Sequence, residues 1–378
     1  MMEPIIGSPP TVDIALVDGN AGRRAQIAAG LAAFYRVEPY ENSSFALQAL
    51  EKAPPKLVVI DETAPPLGGF EFLTRLRKSS TLKTVGVILV LADDRDGIAE
   101  TVRRAGACDC IVRPFRRSDL IRRISSLTNR SVECRWSELP VIQQKVLSKS
   151  LEVIHSVSDA LDEGTPISEE ALAEASSSLV YAVSNNDFKL VLRGLRNHDN
   201  YTYVHSVRVA TLLTLLGKTI GLNQSDLTLM AGCGLLHDVG KMTIAHDVLN
   251  KAGKLTPTEW RTMQGHVEAS VRCLSAAGNI HRVIISIAEQ HHEKLDGSGY
   301  PKGLSGAAIN ELARMSAIAD IFGALTDVRA YKPAMKAEKA LAIMSEDMTG
   351  QLDQHLLTTF GSLMLDIGRC EDGDDARG

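Results

Sequence analysis

Ten histidines occur in the 378 residues, and most lie after residue 197, in short segments that also carry aspartates. In chain order these segments are HDNYTYVHSVRVA (198–210), GLLHDVGKMTI (234–244), MQGHVEAS (263–270) and EQHHEKLDGSGYP (289–301), followed by the aspartates of SAIADIFGALTDVRAYKP (316–333). Imidazole and carboxylate together are the ligand types of borderline divalent metals such as Fe, Mn or Zn. A lone histidine such as His205 or His266 is more often a hydrogen-bonded, partly buried residue than a ligand. The adjacent pair His237–Asp238 is different. It ends an apolar helical run, where two ionisable groups are costly unless something compensates them. Metal coordination compensates both, and the aspartate can bridge two cations, as carboxylates do in two-metal hydrolases. Lys241 lies one helical turn from His237, and Gly240 leaves room for a ligand to approach. An imidazole, a carboxylate and an ammonium on adjoining faces suit phosphate recognition. The pair His291–His292, before a Gly-rich turn, is ambiguous by itself.

Two kinds of scaffold must position these groups. Residues 11–128 alternate short apolar, β-branched runs with helical patterns: VDIALVD, YRVEPYE, KLVVID, VGVILVLA and CDCIVRPF are the expected strands. Runs apolar almost throughout belong to parallel strands buried on both faces, so an α/β doubly wound, flavodoxin-like domain is expected, with its site at the C-terminal strand ends. From about residue 130 the strand signals end. A helical linker is expected over 129–164, one long helix (137–162) joining the two halves. An all-α domain over 165–365 follows, opened by Ser168 as an N-cap before acidic residues, and then a disordered tail over 366–378.

Composition narrows the function. No apolar run approaches the ~20 residues of a membrane span, and the N-terminus shows no basic segment followed by an apolar one, so a cytoplasmic protein without stable membrane association is expected. The six cysteines form no CxxC pair, which argues against a disulfide framework or a thiolate zinc site. Residues 1–130 hold 18 Lys and Arg against 15 Asp and Glu, whereas the remainder holds 23 against 31. An acidic domain is a poor nucleic-acid binder, and for a phosphate substrate metals are the natural means of reversing its field.

With Asp18 closing the first strand and Asp61 the third, residues 11–128 resemble the receiver domain of response regulators. That resemblance implies Asp61 as phosphoacceptor, a divalent cation held with the help of Asp18, and a sensor kinase as partner. The sequence departs from the pattern where Gly19 replaces a second acid, Ala92 a Ser or Thr, and Arg113 a lysine. Arginine and lysine are not equivalent at such a site, so phosphotransfer and a relic receiver acting by docking or dimerisation both stand.

The order H…HD…H…HH…D, with HDxGK and HHExxDGxGYP, resembles the HD-GYP family of metal-dependent phosphohydrolases over about 190–365. The resemblance implies an all-helical domain hydrolysing cyclic di-GMP to pGpG or GMP with two divalent metal ions, Fe or Mn first and Zn, Mg or Ni as alternatives, in a homodimer. His205, His237, Asp238 and Asp320 would hold one metal; Asp238 would bridge to a second held by His266, His291 and His292. Asp238 and Lys241 are the implied catalytic residues. Lys241, Arg329 and Lys332 are expected at substrate phosphate, and Tyr300 and Pro301 at the pocket wall. Tyr201 replaces a glutamate that helps hold a third metal in some members, so a binuclear site is expected. Gly323 replaces a common aspartate, so an orienting carboxylate is expected to be lost. Two other readings remain: hydrolysis of another cyclic dinucleotide, and a non-catalytic cyclic di-GMP effector.

Overall fold

The computed structural model describes residues 13–93, 98–196, 198–251, 253–327 and 335–375. The chain divides into two compact units, Met1–Ser131 with Ala245–Asp247, and Val132–Ile244 with Val248–Gly378.

The first unit is built on five parallel strands, β1 (Ile14–Val17), β2 (Val37–Tyr40), β3 (Leu57–Asp61), β4 (Gly86–Leu91) and β5 (Asp109–Val112), in the order β2-β1-β3-β4-β5. The helices α1 (Ala21–Leu31), α2 (Ser43–Lys52), α3 (Gly68–Lys78), α4 (Ile98–Arg104) and α5 (Arg117–Thr128) alternate with them. All five expected strands form. β3 and β4 are apolar nearly throughout because each face of the sheet packs its own core. Val58, Ile60, Val87 and Leu89 meet Phe72 and Leu76 on one side. Val59, Ile88 and Val90 meet Ile121 and Ile124 on the other. The sheet register sets Val17 beside Ile60, so the aspartates that follow, Asp18 and Asp61, emerge together at the C-terminal edge, where this strand order changes direction.

The second unit is helical, and the helices that follow α5 along the chain are α6 (Arg130–Trp136), α7 (Val141–Glu163), α8 (Glu169–Ser184), α9 (Phe188–Gly194), α10 (Tyr201–Thr219), α11 (Gln224–Leu236), α12 (His246–Leu249), α13 (Pro257–Ala276), α14 (Arg282–Gln290), α15 (Glu311–Thr326), α16 (Ala337–Glu346) and α17 (Gln354–Asp375). The long helix expected over 137–162 is α7, and it packs within this unit against α8, burying Val146, Val153, Ile154 and Val157. It ends at Gly164 in the left-handed conformation (φ 68°), which glycine adopts without steric cost. Ser168 caps α8 as expected, accepting the Ala171 N–H. The last helix, α17, runs into the stretch expected as a disordered tail. The sequence of α10 shows no polar face, and the helix is covered on nearly all sides. It is therefore the central helix against which α11 and α15 set their site residues. Among the described residues no helix is long and apolar enough to cross a membrane.

Candidate metal centre

Five helices and two turns bring the histidines together. α10 starts at Asn200, whose side chain accepts the Tyr203 N–H (3.0 Å), and carries fully buried His205 one turn in. α11 ends at Leu236; His237 keeps helical angles, but Asp238 (φ −115°, ψ 13°) leaves them and opens a 3-10 turn over Val239–Thr243. Asp238 and Lys241 thereby face the same way. Gly240 allows this turn to lie directly on α13, since a Cβ there would stand 2.0 Å from the His266 carbonyl oxygen. Its N–H donates to Ser270 Oγ at 2.8 Å. α13 is anchored by a capping box of Thr256 and Glu259 with Pro257 in its first turn, and presents His266. His291 and His292 follow the end of α14, and Asp320 lies inside α15.

Two groups result whose ligand atoms lie within 4.8 Å of one another: His205, His237, Asp238 and Asp320, and Asp238, His266, His291 and His292. Asp238 belongs to both, as expected of a bridging carboxylate. These seven residues coincide with the ligand set expected from the sequence.

The protonation pattern tests whether cations fit. Nδ1 of His237, His266 and His291 lies 2.9, 2.5 and 3.0 Å from the carbonyls of Gly234, Met263 and Ala288. A carbonyl only accepts, so each Nδ1 carries the proton, and a neutral ring then presents a bare lone pair at Nε2. All three Nε2 atoms and Asp238 Oδ1 are buried without a hydrogen-bond partner. They nevertheless face one another, at 3.1 Å from His266 and 3.6 Å from His291 to Oδ1, and 3.4 Å from His237 to Oδ2. Acceptors aimed at acceptors in a dry interior repel unless a cation lies among them. The residues fit divalent metals.

The field around the centre follows the same logic. Burial opposes ionisation of Asp238, but the Lys241 ammonium outweighs it and holds its carboxyl well below the usual range. Burial likewise opposes the Lys241 ammonium, yet the carboxylates of Asp238 and Asp320 keep it protonated; it is ion-paired to Asp238. Burial keeps His292 neutral, the form in which imidazole is a ligand.

The loop after His292 folds back over the centre. Tyr300 stacks on His292 with centroids 4.7 Å apart, in line with its expected place at the wall, whereas Pro301 is exposed. Glu293, which the sequence reading passed over, is buried and accepts the N–H groups of Lys302 (2.7 Å) and Leu304 (2.9 Å), clamping this return. Its only sequence signal was its place in the HHExxDGxGYP motif. Tyr201 stacks on His205 at 5.6 Å, so an aromatic ring occupies the position of the third-metal glutamate. Arg329 and Lys332 lie outside the described residues. Gly323 brings no carboxylate of its own; one turn further on, Asp327 is buried, and its Oδ2 lies 3.2 Å from His205 Nδ1.

In the first unit, Asp18 and Asp61 are both 1% exposed, and a guanidinium lies against both of them. The Arg23 guanidinium donates to both Asp18 oxygens (2.5 and 2.7 Å) and reaches Asp61 Oδ2 at 3.1 Å. Arg113 lies 3.5 Å from the same Asp61 oxygen. Thr63 adds two further donors to Asp61 Oδ1, its N–H at 3.0 Å and its hydroxyl at 2.5 Å. At Gly19, a Cβ would meet the rigid Pro65 ring at 2.4 Å, so this backbone position leaves no room for a second acid. The Arg23 guanidinium is thus ion-paired with both acids that would hold a divalent ion, while buried Asp61 Oδ2 accepts no hydrogen bond.

Comparison with known proteins agrees with this division. Residues 14–125 match the response regulator receiver domain and residues 189–356 the HD domain. The chain is 29% identical over 337 residues to the cyclic di-GMP phosphodiesterase response regulator RpfG of Xanthomonas campestris, covering 88% of this chain and 82% of that protein. It is 36% identical over 171 residues to the cyclic di-GMP phosphodiesterase PA4108 of Pseudomonas aeruginosa, covering 45% of this chain and 41% of the relative. It is 39% identical over 153 residues to the 3'3'-cGAMP-specific phosphodiesterase 3 of Vibrio cholerae, covering 40% and 33%. These last two alignments span less than half of each relative.

Proposed function

The chain belongs to the HD domain family in its HD-GYP form, behind a response regulator receiver domain, and on that premise we propose that it is a metal-dependent phosphodiesterase that opens cyclic di-GMP. The observation that carries this reading is the ring of buried acceptor atoms on His237, Asp238, His266 and His291, which divalent cations among them would reconcile. Two divalent cations held by the two ligand groups would polarise a phosphoryl oxygen and acidify a water. Asp238 joins the groups and fixes their spacing. Lys241 holds a positive charge against Asp238 at the mouth of the centre, positioned to take a phosphate oxygen as charge builds there. Tyr300 closes one wall and limits water around the reacting phosphate. Cyclic di-GMP is preferred because the relative aligned along most of this chain carries that activity in its name. Hydrolysis of 3'3'-cGAMP is the second reading, favoured by 39% identity over 153 residues to a phosphodiesterase named for that substrate.

Protein loaded with Mn or Fe under reducing, anaerobic conditions should convert cyclic di-GMP to pGpG or GMP. Binding without turnover at verified metal content would leave the effector reading instead. For the receiver unit we infer an input that does not depend on cation-assisted phosphorylation, since Arg23 occupies the carboxylates that phosphotransfer requires.

A further inference from the structure

Trp260 lies in the first turn of α13 and is 47% exposed. Its ring meets Tyr300 edge-on (centroids 6.0 Å, 77°), and Tyr300 stacks on His292 (4.7 Å, 27°) and approaches His266 (6.4 Å, 85°). A path of aromatic rings thus runs from two ligand histidines to an indole left half-uncovered. The backbone beneath that indole is fixed by the Thr256–Glu259 capping box and by Lys251, whose Nζ lies 2.8 and 2.5 Å from the Glu259 carboxylate. A rigid aromatic surface loses little freedom when a flat ligand covers it. Nucleobases are such ligands, and their stacking tolerates any base because each has a π-face.

We propose that Trp260 is the platform on which one purine of the cyclic dinucleotide stacks while its phosphodiester lies at the metal centre. The inference rests on the phosphodiesterase reading and adds the base subsite to it. The ribose that links base and phosphate would cross the wall made by Tyr300. Stacking by itself reads no base edge, so this platform accepts guanine and adenine alike.

The test compares W260A and W260F with the wild-type metal-loaded chain on cyclic di-GMP and on bis(p-nitrophenyl) phosphate, which has no purine. W260A should raise KM for cyclic di-GMP roughly 5- to 150-fold, the range for losing one stacked base, with a much smaller effect on kcat. The loss should be far smaller with bis(p-nitrophenyl) phosphate, and W260F should recover most of it. The chain has two tryptophans, and Trp136 is only 7% exposed. Cyclic di-GMP added to metal-free protein should therefore quench wild-type fluorescence and leave W260A unquenched. Equal KM losses on both substrates, or quenching that survives in W260A, would overturn the platform. If wild type hydrolyses neither substrate, the phosphodiesterase reading fails and the quenching alone decides the subsite.

Independently, the geometry assigns Asp327 as a positioning residue for His205. The His205 Nδ1–H donates to Asp327 Oδ2 (3.2 Å), and Arg208 holds the other carboxylate oxygen (2.9 Å) while donating to Thr326 Oγ1 (2.9 Å). One turn earlier, a Cβ on Gly323 would lie 3.7 and 3.9 Å from His205 Cε1 and Nδ1, in ordinary contact, so an acid there would reach the same ring. The orienting carboxylate has moved by one helical turn. D327S should weaken metal retention against a chelator about 10- to 100-fold, and G323D added to it should restore retention and the ligand-field spectrum of the Co(II)-loaded protein. Unchanged retention in D327S would overturn the assignment, as would a loss that G323D fails to restore.

Discussion

Gly240→Ala probes the packing that brings Asp238 to His266. The added methyl would stand 2.0 Å from the His266 carbonyl oxygen and 2.5 Å from Ser270 N, both backbone atoms, whereas real Cβ contacts essentially never fall under 3.0 Å. The turn carrying Asp238 must therefore retreat from α13 by about 1 Å. Asp238 Oδ1 and His266 Nε2 are 3.1 Å apart. With bonds of ~2.1 Å to a shared metal, that spacing corresponds to an angle of about 95°, and a gap near 4 Å to about 145°. Distances beyond ~0.2 Å of ideal are not compatible with a metal site, so the group containing His266, His291 and His292 should lose its ion first. Overpacking costs about 1–3 kcal/mol, and losing the Gly240–Ser270 hydrogen bond about 1 more. At about 2–4 °C per kcal/mol in a unit of this size, Tm should fall by several degrees with helicity kept. Elemental analysis of the purified variant and scanning calorimetry measure both effects. A G240A protein with wild-type metal content and Tm would refute the reasoning that this close approach builds the site.

Glu293→Gln leaves one of the Lys302 and Leu304 N–H groups facing an amide donor, which should cost about 1–3 kcal/mol and lower Tm accordingly in a thermal melt; an unchanged melting curve would count against the clamp. Acetyl phosphate with Mg should leave no phosphoryl adduct on Asp61 by intact mass, because Arg23 and Arg113 stand 3.1 and 3.5 Å from its Oδ2, where a cation would have to compete with them; an adduct that disappears in D61N would reverse this view. The Lys251 ion pair, helped by the Thr256 cap, holds the Glu259 carboxyl at about 2. Its contribution is fully present above the ordinary value of about 4.5 and is lost as pH falls through about 2. The Tm difference between wild type and E259Q should thus close across that window, and a gap independent of pH would exclude the ion pair as its source.

Much of the site was legible in the sequence because its chemistry is local to motifs. His237–Asp238 and His291–His292 are neighbours in the chain, and an ionisable pair closing an apolar helix has few uses besides metal binding. The strands of the first unit were equally legible, since parallel strands covered on both faces must be apolar nearly throughout. What the sequence left open depends on helical turns and on atoms far apart in the chain. Gly323 read as a lost carboxylate because only folding shows Asp327, on the next turn of chain after α15, against the His205 ring. Gly19 and Arg113 raised doubts about the receiver; that Arg23 enters the gap between Asp18 and Asp61 depends on how α1 follows β1. Trp260 carried no motif at all and gains meaning from Tyr300, forty residues later, beside it. The sequence by itself determined which groups can bind metal, since donor chemistry belongs to the residue. The tertiary structure alone decided which of them share one centre, which charge fills the receiver, and what lines the approach, because those depend on distance.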